Sequence, residues 1–162
     1  NKGYDSLGPF TFSPNEIKVS GRVADLETIE FILTQPKTFK KVSDTLKGQI
    51  KLQMFKKSQL RYFENEVDYL LPVAKFTEGS FDIPIEVQNT ITNSDIIIFP
   101  KTVNVSFKTS LSNFERIDAS GFKVIAKFDP NEDFMTLELV KQPKNVKHIT
   151  LDSRTVDYLI KE

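Results

Sequence analysis

The 162 residues carry 22 basic and 22 acidic side chains, 39% apolar residues and no cysteine. A formal charge of zero writes no general polyanion-binding character into the chain, and no RNA-binding motif is present, so nucleic acid is not an expected partner. Without Cys there are no disulfides, no thiolate chemistry and no Cys-based zinc site. No apolar run approaches the roughly 18 residues of a membrane span. The first residue is Asn and no signal-like stretch follows it, so the sequence reads as a piece of a longer protein, with any targeting segment or membrane anchor upstream.

In chain order, "FSPNEIKVSG" from Phe12 opens on a proline and then alternates through Ile17 and Val19, a strand pattern. After Gly21, apolar residues recur every three positions at Val23, Leu26, Ile29 and Ile32, which predicts a short helix over 22–32. Ile50, Leu52 and Met54 alternate with polar residues, as do Val67, Tyr69, Leu71 and Val73 within "NEVDYLLPV". Period-two patterning of this kind means strands with one buried face. "AKFTEGSF", with Gly79, reads as a short linker. Ile83, Ile85 and Val87 form the next strand, followed by "DIIIFP" and the alternation Val103, Val105, Phe107. Ser112 with Glu115 resembles a capping box, and Leu111, Phe114 and Ile117 form a stripe, predicting a helix over 111–118. Pro14, Pro72, Pro84, Pro100 and Pro143 sit in or beside these runs, where they suit edges, bulges and strand starts.

Two of these patterns recur. "FPKTVNVSF" from Phe99 repeats the proline-led strand, and "RTVDYLIKE" from Arg154 repeats the string Val-Asp-Tyr-Leu of "NEVDYLLPV". Ile17 to Val103 is 86 positions and Val67 to Val156 is 89, so the offsets nearly agree. The chain therefore reads as two copies of one unit, 1–74 and 75–162, mainly β, each a small β-rich domain with one short helix. The second copy contains a strand, "SFDIPIEVQN", whose counterpart at the same offset would precede residue 1. The first copy is expected to lack that strand.

Chemistry is sparse. His148 is the only histidine and lies in a strand-like run, so it reads as structural or solvent-facing. "DPNEDF" at Asp129, Asn131, Glu132 and Asp133 departs from calcium-loop spacing and lacks its glycine, so it reads as a solvated turn. There is no G-x-S-x-G elbow, no P-loop and no dinucleotide fingerprint. Paired carboxylates such as Glu64 with Glu66, or Asp152 with Asp157, read more simply as polar strand faces. No catalytic residue, cofactor site or metal site is assigned, and the chain does not read as an enzyme.

Charge is uneven along the chain. Lys37, Lys40, Lys41, Lys47, Lys51, Lys56, Lys57 and Arg61 stand against one acid, Asp44, in the same window. Lys37, Lys40, Lys41, Lys56, Lys57 and Arg61 are the candidate interaction surface, interleaved with Phe39, Phe55 and Tyr62. They read either as a basic face for anionic lipid, polymer or an acidic protein surface, or as lysines that keep exposed strand edges from pairing.

The strings "SPNEIKVSGRVADLETIEFI", "EVDYLLPVAKFTEGSFDIPIEVQN", "IIIFPKTVNVSFKTSLSNFERIDASGFKVIAKFD" and "VDYLIKE" resemble YbbR-like domain proteins of the Gram-negative type over nearly the whole chain. The resemblance implies tandem β-rich domains with crossing strands and a short helix, similar to the C-terminal domain of a stress-related ribosomal protein of the general-shock type. It implies that this chain is the last two domains of a series, outside the cytoplasm on the periplasmic side, behind an N-terminal transmembrane helix that lies upstream. In Gram-positive bacteria a YbbR protein partners a membrane-bound diadenylate cyclase and adjusts its activity. The expected function is therefore a non-enzymatic, extracytoplasmic interaction module with a membrane or envelope protein partner. The alternative is a β-domain that binds carbohydrate or cell-wall polymer, against which the absence of Trp counts.

Overall fold

The computed structural model describes residues 1–54, 60–88 and 95–161. Strand accounts for 52% of them and helix for 7%, so the class is mainly β. The chain divides into two compact units, Asn1–Lys75 and Phe76–Glu162.

In the first unit, strand β1 (Tyr4–Ser6) pairs antiparallel with Val73–Lys75, the start of a long strand. Strand β2 (Thr11–Ser13) and strand β4 (Leu46–Lys51) flank strand β6 (Glu66–Leu71) in an antiparallel sheet, and strand β3 (Val19–Ser20) pairs with strand β5 (Arg61–Tyr62). The alternation in β6 puts Val67 and Tyr69 inside and leaves Glu66, Asp68 and Leu70 exposed. Pro72, which has no N–H to give a ladder, separates β6 from the strand that follows.

Helix α1 is a single turn, Val23–Leu26, shorter than the stripe to Ile32 predicts. The Thr28 hydroxyl donates to the Asp25 carbonyl and the Ile29 N–H to the Leu26 carbonyl, which closes the turn locally. Beyond it the chain runs extended beside β4: Thr34 bridges Leu52, and the Gln35 N–H donates to the Lys51 carbonyl. The apolar period of three thus belongs to an irregular segment and not to a helix face.

The second unit is built on strand β7 (Val73–Gln88) from Phe76 onward. Its path also uses strands β8 (Asp95–Phe99), β9 (Thr102–Ser110), β10 (Lys123–Lys127), β11 (Phe134–Lys141), β12 (Lys147–Leu151) and β13 (Thr155–Lys161). The order is β12-β9-β7-β10-β11-β13-β8. All neighbours are antiparallel except β7 and β10, which pair in parallel from Ile85 to Gln88. Ile83, Val103, Val105, Phe107, Val124 and Met135 are among the residues that close a contiguous core. Each such side chain contributes about 1.5–3 kcal/mol by leaving water.

The stretch "AKFTEGSF" is not a linker: residues 74–81 all belong to β7, and Phe76–Pro84 pair with β9. Gly79 there makes room, as a Cβ would come 2.8 Å from Phe107 Cζ and 2.9 Å from Phe114 Cε2. Nor does the Ser112–Glu115 capping box form. Helix α2 is one turn, Leu111–Phe114; Ser110 is its N-cap, without a side-chain cap bond, and Glu115 follows its last residue. The buried Ser110 hydroxyl is instead shared with that of Ser112 at 3.1 Å. Of the predicted stripe only Ile117 packs against the core, while Leu111 and Phe114 are exposed.

The two units carry one arrangement. The order β2-β6-β4 in the first matches β8-β13-β11 in the second, and β3-β5 matches β9-β12. The peptide bonds Ser13–Pro14 and Phe99–Pro100 are both cis. Only the second unit interposes β7 between β9 and β10. Among the described residues of the first unit no strand holds that place.

Candidate interaction surface

The basic segment does not form one cluster. Lys37, in the extended chain after α1, donates from Nζ to the Tyr69 hydroxyl at 3.1 Å. The same ammonium lies 4.9 Å from the Tyr69 ring centroid and 5.4 Å from that of Phe39. Those rings belong to an aromatic group in which Phe39 and Tyr69 are 5.6 Å apart and Phe10 meets both. Tyr69 is buried by its position on central β6, so Lys37 is anchored by packing as well as by charge.

Arg61 is held elsewhere, on β5. Its guanidinium carbon is 5.4 Å from the Phe63 ring centroid, and Lys18 Nζ is 5.1 Å from the same ring. The register decides this: Val19 faces Tyr62 and the Phe63 N–H donates to the Lys18 carbonyl, which brings Lys18 beside Phe63. Phe63 remains 49% exposed, so two cations share one solvent-facing ring. Lys40 and Lys41 are exposed, and Lys41 takes a left-handed backbone (φ 52°) that non-glycine residues seldom adopt. Lys56, Lys57 and Phe55 lie outside the described residues. Lys18 escapes a reading by charge density, because it lies outside the Lys37–Arg61 window; only strand register reveals it.

The first unit also contains a groove of about 590 Å³, lined by apolar side chains that include Ile17, Val19, Ile29 and Leu52 and by the polar Asn15, Glu16, Glu30 and Thr34. Both edges of this groove come from segments the repeat duplicates.

Elsewhere the titratable groups have structural work. His148 is exposed with a left-handed backbone (φ 49°), where the pairing of β12 with β9 shifts register between Lys147 and Thr150. Asp129 accepts from the Asn131 N–H and side-chain amide, both at 3.0 Å, forming the turn between β10 and β11. Asp118 accepts from the Ser120 hydroxyl and N–H, and these bonds, the side-chain one foremost, hold its carboxyl below the ordinary value. Among the described residues no group of three or more His, Asp and Glu side chains is arranged to hold a metal ion. No helix among them is long and apolar enough to cross a membrane.

Comparison of the chain with protein-family models, with curated proteins and with solved structures finds no match.

Proposed function

We propose that the chain is a non-enzymatic, extracytoplasmic interaction module of a membrane-anchored YbbR-like protein, which regulates a membrane partner such as a diadenylate cyclase. The resemblance in the sequence supports it, together with the duplicated strand order. The observation that carries it is the Lys18–Phe63–Arg61 stack, two cations on one exposed ring. Aromatic and Arg side chains are enriched where proteins meet proteins, and a stacked cation keeps its charge while presenting a flat apolar face. Near an anionic bilayer each exposed basic residue adds roughly 1 kcal/mol, so the same stack suits a membrane-proximal partner.

The test is affinity capture from envelope extracts with the anchored full-length protein as bait. A membrane protein retained by the natural protein and lost from a Lys18→Glu, Arg61→Glu variant supports the reading. Recovery of cell-wall polysaccharide alone, or a retained protein indifferent to both reversals, overturns it.

A further inference from the structure

The two units differ at one place. In the second, β7 lies between β9 and β10, antiparallel to the first and parallel to the second. Its Ile83 and Ile85 enter the core, with Phe81 and Val87 packed against it. In the first unit both flanks of that place exist. Residues 16–20 match 102–106 at an offset of 86, and Lys18 repeats the bonding of Asn104: the carbonyl of each accepts an N–H from the neighbouring strand segment (Phe63 and Asp152), and the N–H of each donates to a carboxylate (Glu64 and Asp152). Residues 31–35 stand where β10 stands: Ile50 pairs with Val67 as Met135 pairs with Val156, and two residues on, Thr34 bridges Leu52 as Ala126 pairs with Leu137.

The groove lies between these flanks, with Ile17 and Val19 lining it from one and Phe31, Ile32 and Thr34 from the other. Ile17, Val19 and Val67 line it, whereas their counterparts Val103, Val105 and Val156 are at most 3% exposed in the second unit's core. Ile17 and Val19 are only half-buried. Because ladder bonds alternate sides, Lys18 faces β5 and the backbone groups of Ile17 and Val19 face the groove. Among the described residues no strand pairs with β3 on that side.

We infer that this groove is a strand-acceptor site, and that its occupant is an extended polypeptide strand with an aromatic or β-branched residue at every second position. The strand runs antiparallel to residues 16–20 and parallel to residues 31–35. Its backbone completes the ladder of Ile17 and Val19, and its alternate side chains fill the space that Phe81, Ile83, Ile85 and Val87 fill in the second unit. A compact apolar ligand leaves those backbone groups unmatched, and the β7 strand of a second copy is already committed to its own core. The inference rests on the internal repeat and not on the identity of the membrane partner.

The probe is a fluorescent peptide with the sequence of Phe76–Gln88, FTEGSFDIPIEVQ, added to the whole chain 1–162. Anisotropy measures binding and amide shifts of labelled protein locate it. Saturable binding is expected, with shifts and slowed exchange at Ile17, Val19 and residues 31–35. A peptide with Ser in place of Phe81, Ile83, Ile85 and Val87 should bind at least about tenfold more weakly, since burial of several apolar side chains is lost. No saturable binding, equal binding of the Ser peptide, or shifts confined to β9 and β10 overturns the inference. So does concentration-dependent dimerisation that protects Ile17 and Val19 without peptide.

Discussion

Lys18 and Asn104 stand 86 positions apart and make the same pair of backbone bonds, each N–H reaching a carboxylate and each carbonyl accepting an N–H from across the sheet. In the second unit a single residue, Asp152, supplies both partners; in the first the work is split between Phe63 and Glu64. A hydrogen bond to a charged group is worth up to about 1.5–3 kcal/mol, and less where water competes. Asp152→Ala should therefore cost about 1 kcal/mol, and Asp152→Asn, which keeps an acceptor, clearly less. Hydrogen exchange at the Asn104 amide measures both. Unchanged exchange in Asp152→Ala would show that the carboxylate bond contributes nothing.

Gly79 faces Phe107 across β7 and β9, and the space a Cβ needs is taken by Phe107 Cζ at 2.8 Å and Phe114 Cε2 at 2.9 Å. Phe114 is exposed and can swing away, but Phe107 is 2% exposed, stacked on Phe81 and packed at a tilt against Phe122. Overpacking of this kind costs about 1–3 kcal/mol. Gly79→Ala should lower the unfolding free energy of the second unit by that amount, and adding Phe114→Ala should not restore it. Gly8, where nothing lies within 4 Å of a built Cβ, is the control. A neutral Gly79→Ala in urea titration would refute this packing argument.

Tyr62 carries a buried hydroxyl with no hydrogen-bond partner among the described residues. An unpaired buried hydroxyl costs about 1–3 kcal/mol relative to its apolar counterpart. Tyr62→Phe removes one oxygen and leaves the ring in place, so stability should hold or rise. A fall in the thermal midpoint of the first unit would mean that the hydroxyl is paired in solution.

Asp118 ties the short turn at Ala119–Gly121 through Ser120. Its carboxyl is lowered in the folded state, so it binds protons less readily there than in the unfolded chain. The resulting stability is present above the unfolded pKa and is lost as pH falls through the lower, folded one. Ser120→Ala removes the largest cause, and the Asp118 titration followed by NMR should move up toward the ordinary carboxylate value. An unmoved titration would assign the shift to the backbone bonds or to Lys141 instead.

The sequence makes some of this legible and hides the rest for physical reasons. Val67 and Val156 announce the repeat because central strands β6 and β13 bury the same face and so retain the same alternation. The helix drawn through Ile29 and Ile32 fails because a period of three also fits an irregular segment, and both residues line the groove of the first unit. Gly79 reads as part of a short linker, yet it makes room for the Phe107 ring, and a glycine chosen for space has no signature in one sequence. The cation stack at Phe63 is invisible for a related reason: Lys18 and Arg61 meet through strand register, which charge counting does not contain.

The basic surface makes the last prediction. Lys37 is bonded to the Tyr69 hydroxyl and lies over two rings, so Lys37→Ala should cost about 0.5–1 kcal/mol of stability. Lys40 is exposed and Lys18 and Arg61 sit on an exposed ring, so their removal should leave the fold nearly intact. Together they carry three charges, and at roughly 1 kcal/mol each near an anionic bilayer they suffice for adsorption that fades with salt. Co-sedimentation with phosphatidylglycerol vesicles should therefore be measurable at low salt, weaker at physiological salt, and lost in Lys18→Glu, Lys40→Glu, Arg61→Glu. Circular dichroism checks that the variant is folded. If the natural chain does not sediment, or if the reversals change nothing, these cations serve to keep exposed strand edges from pairing, as charged side chains on sheet edges commonly do.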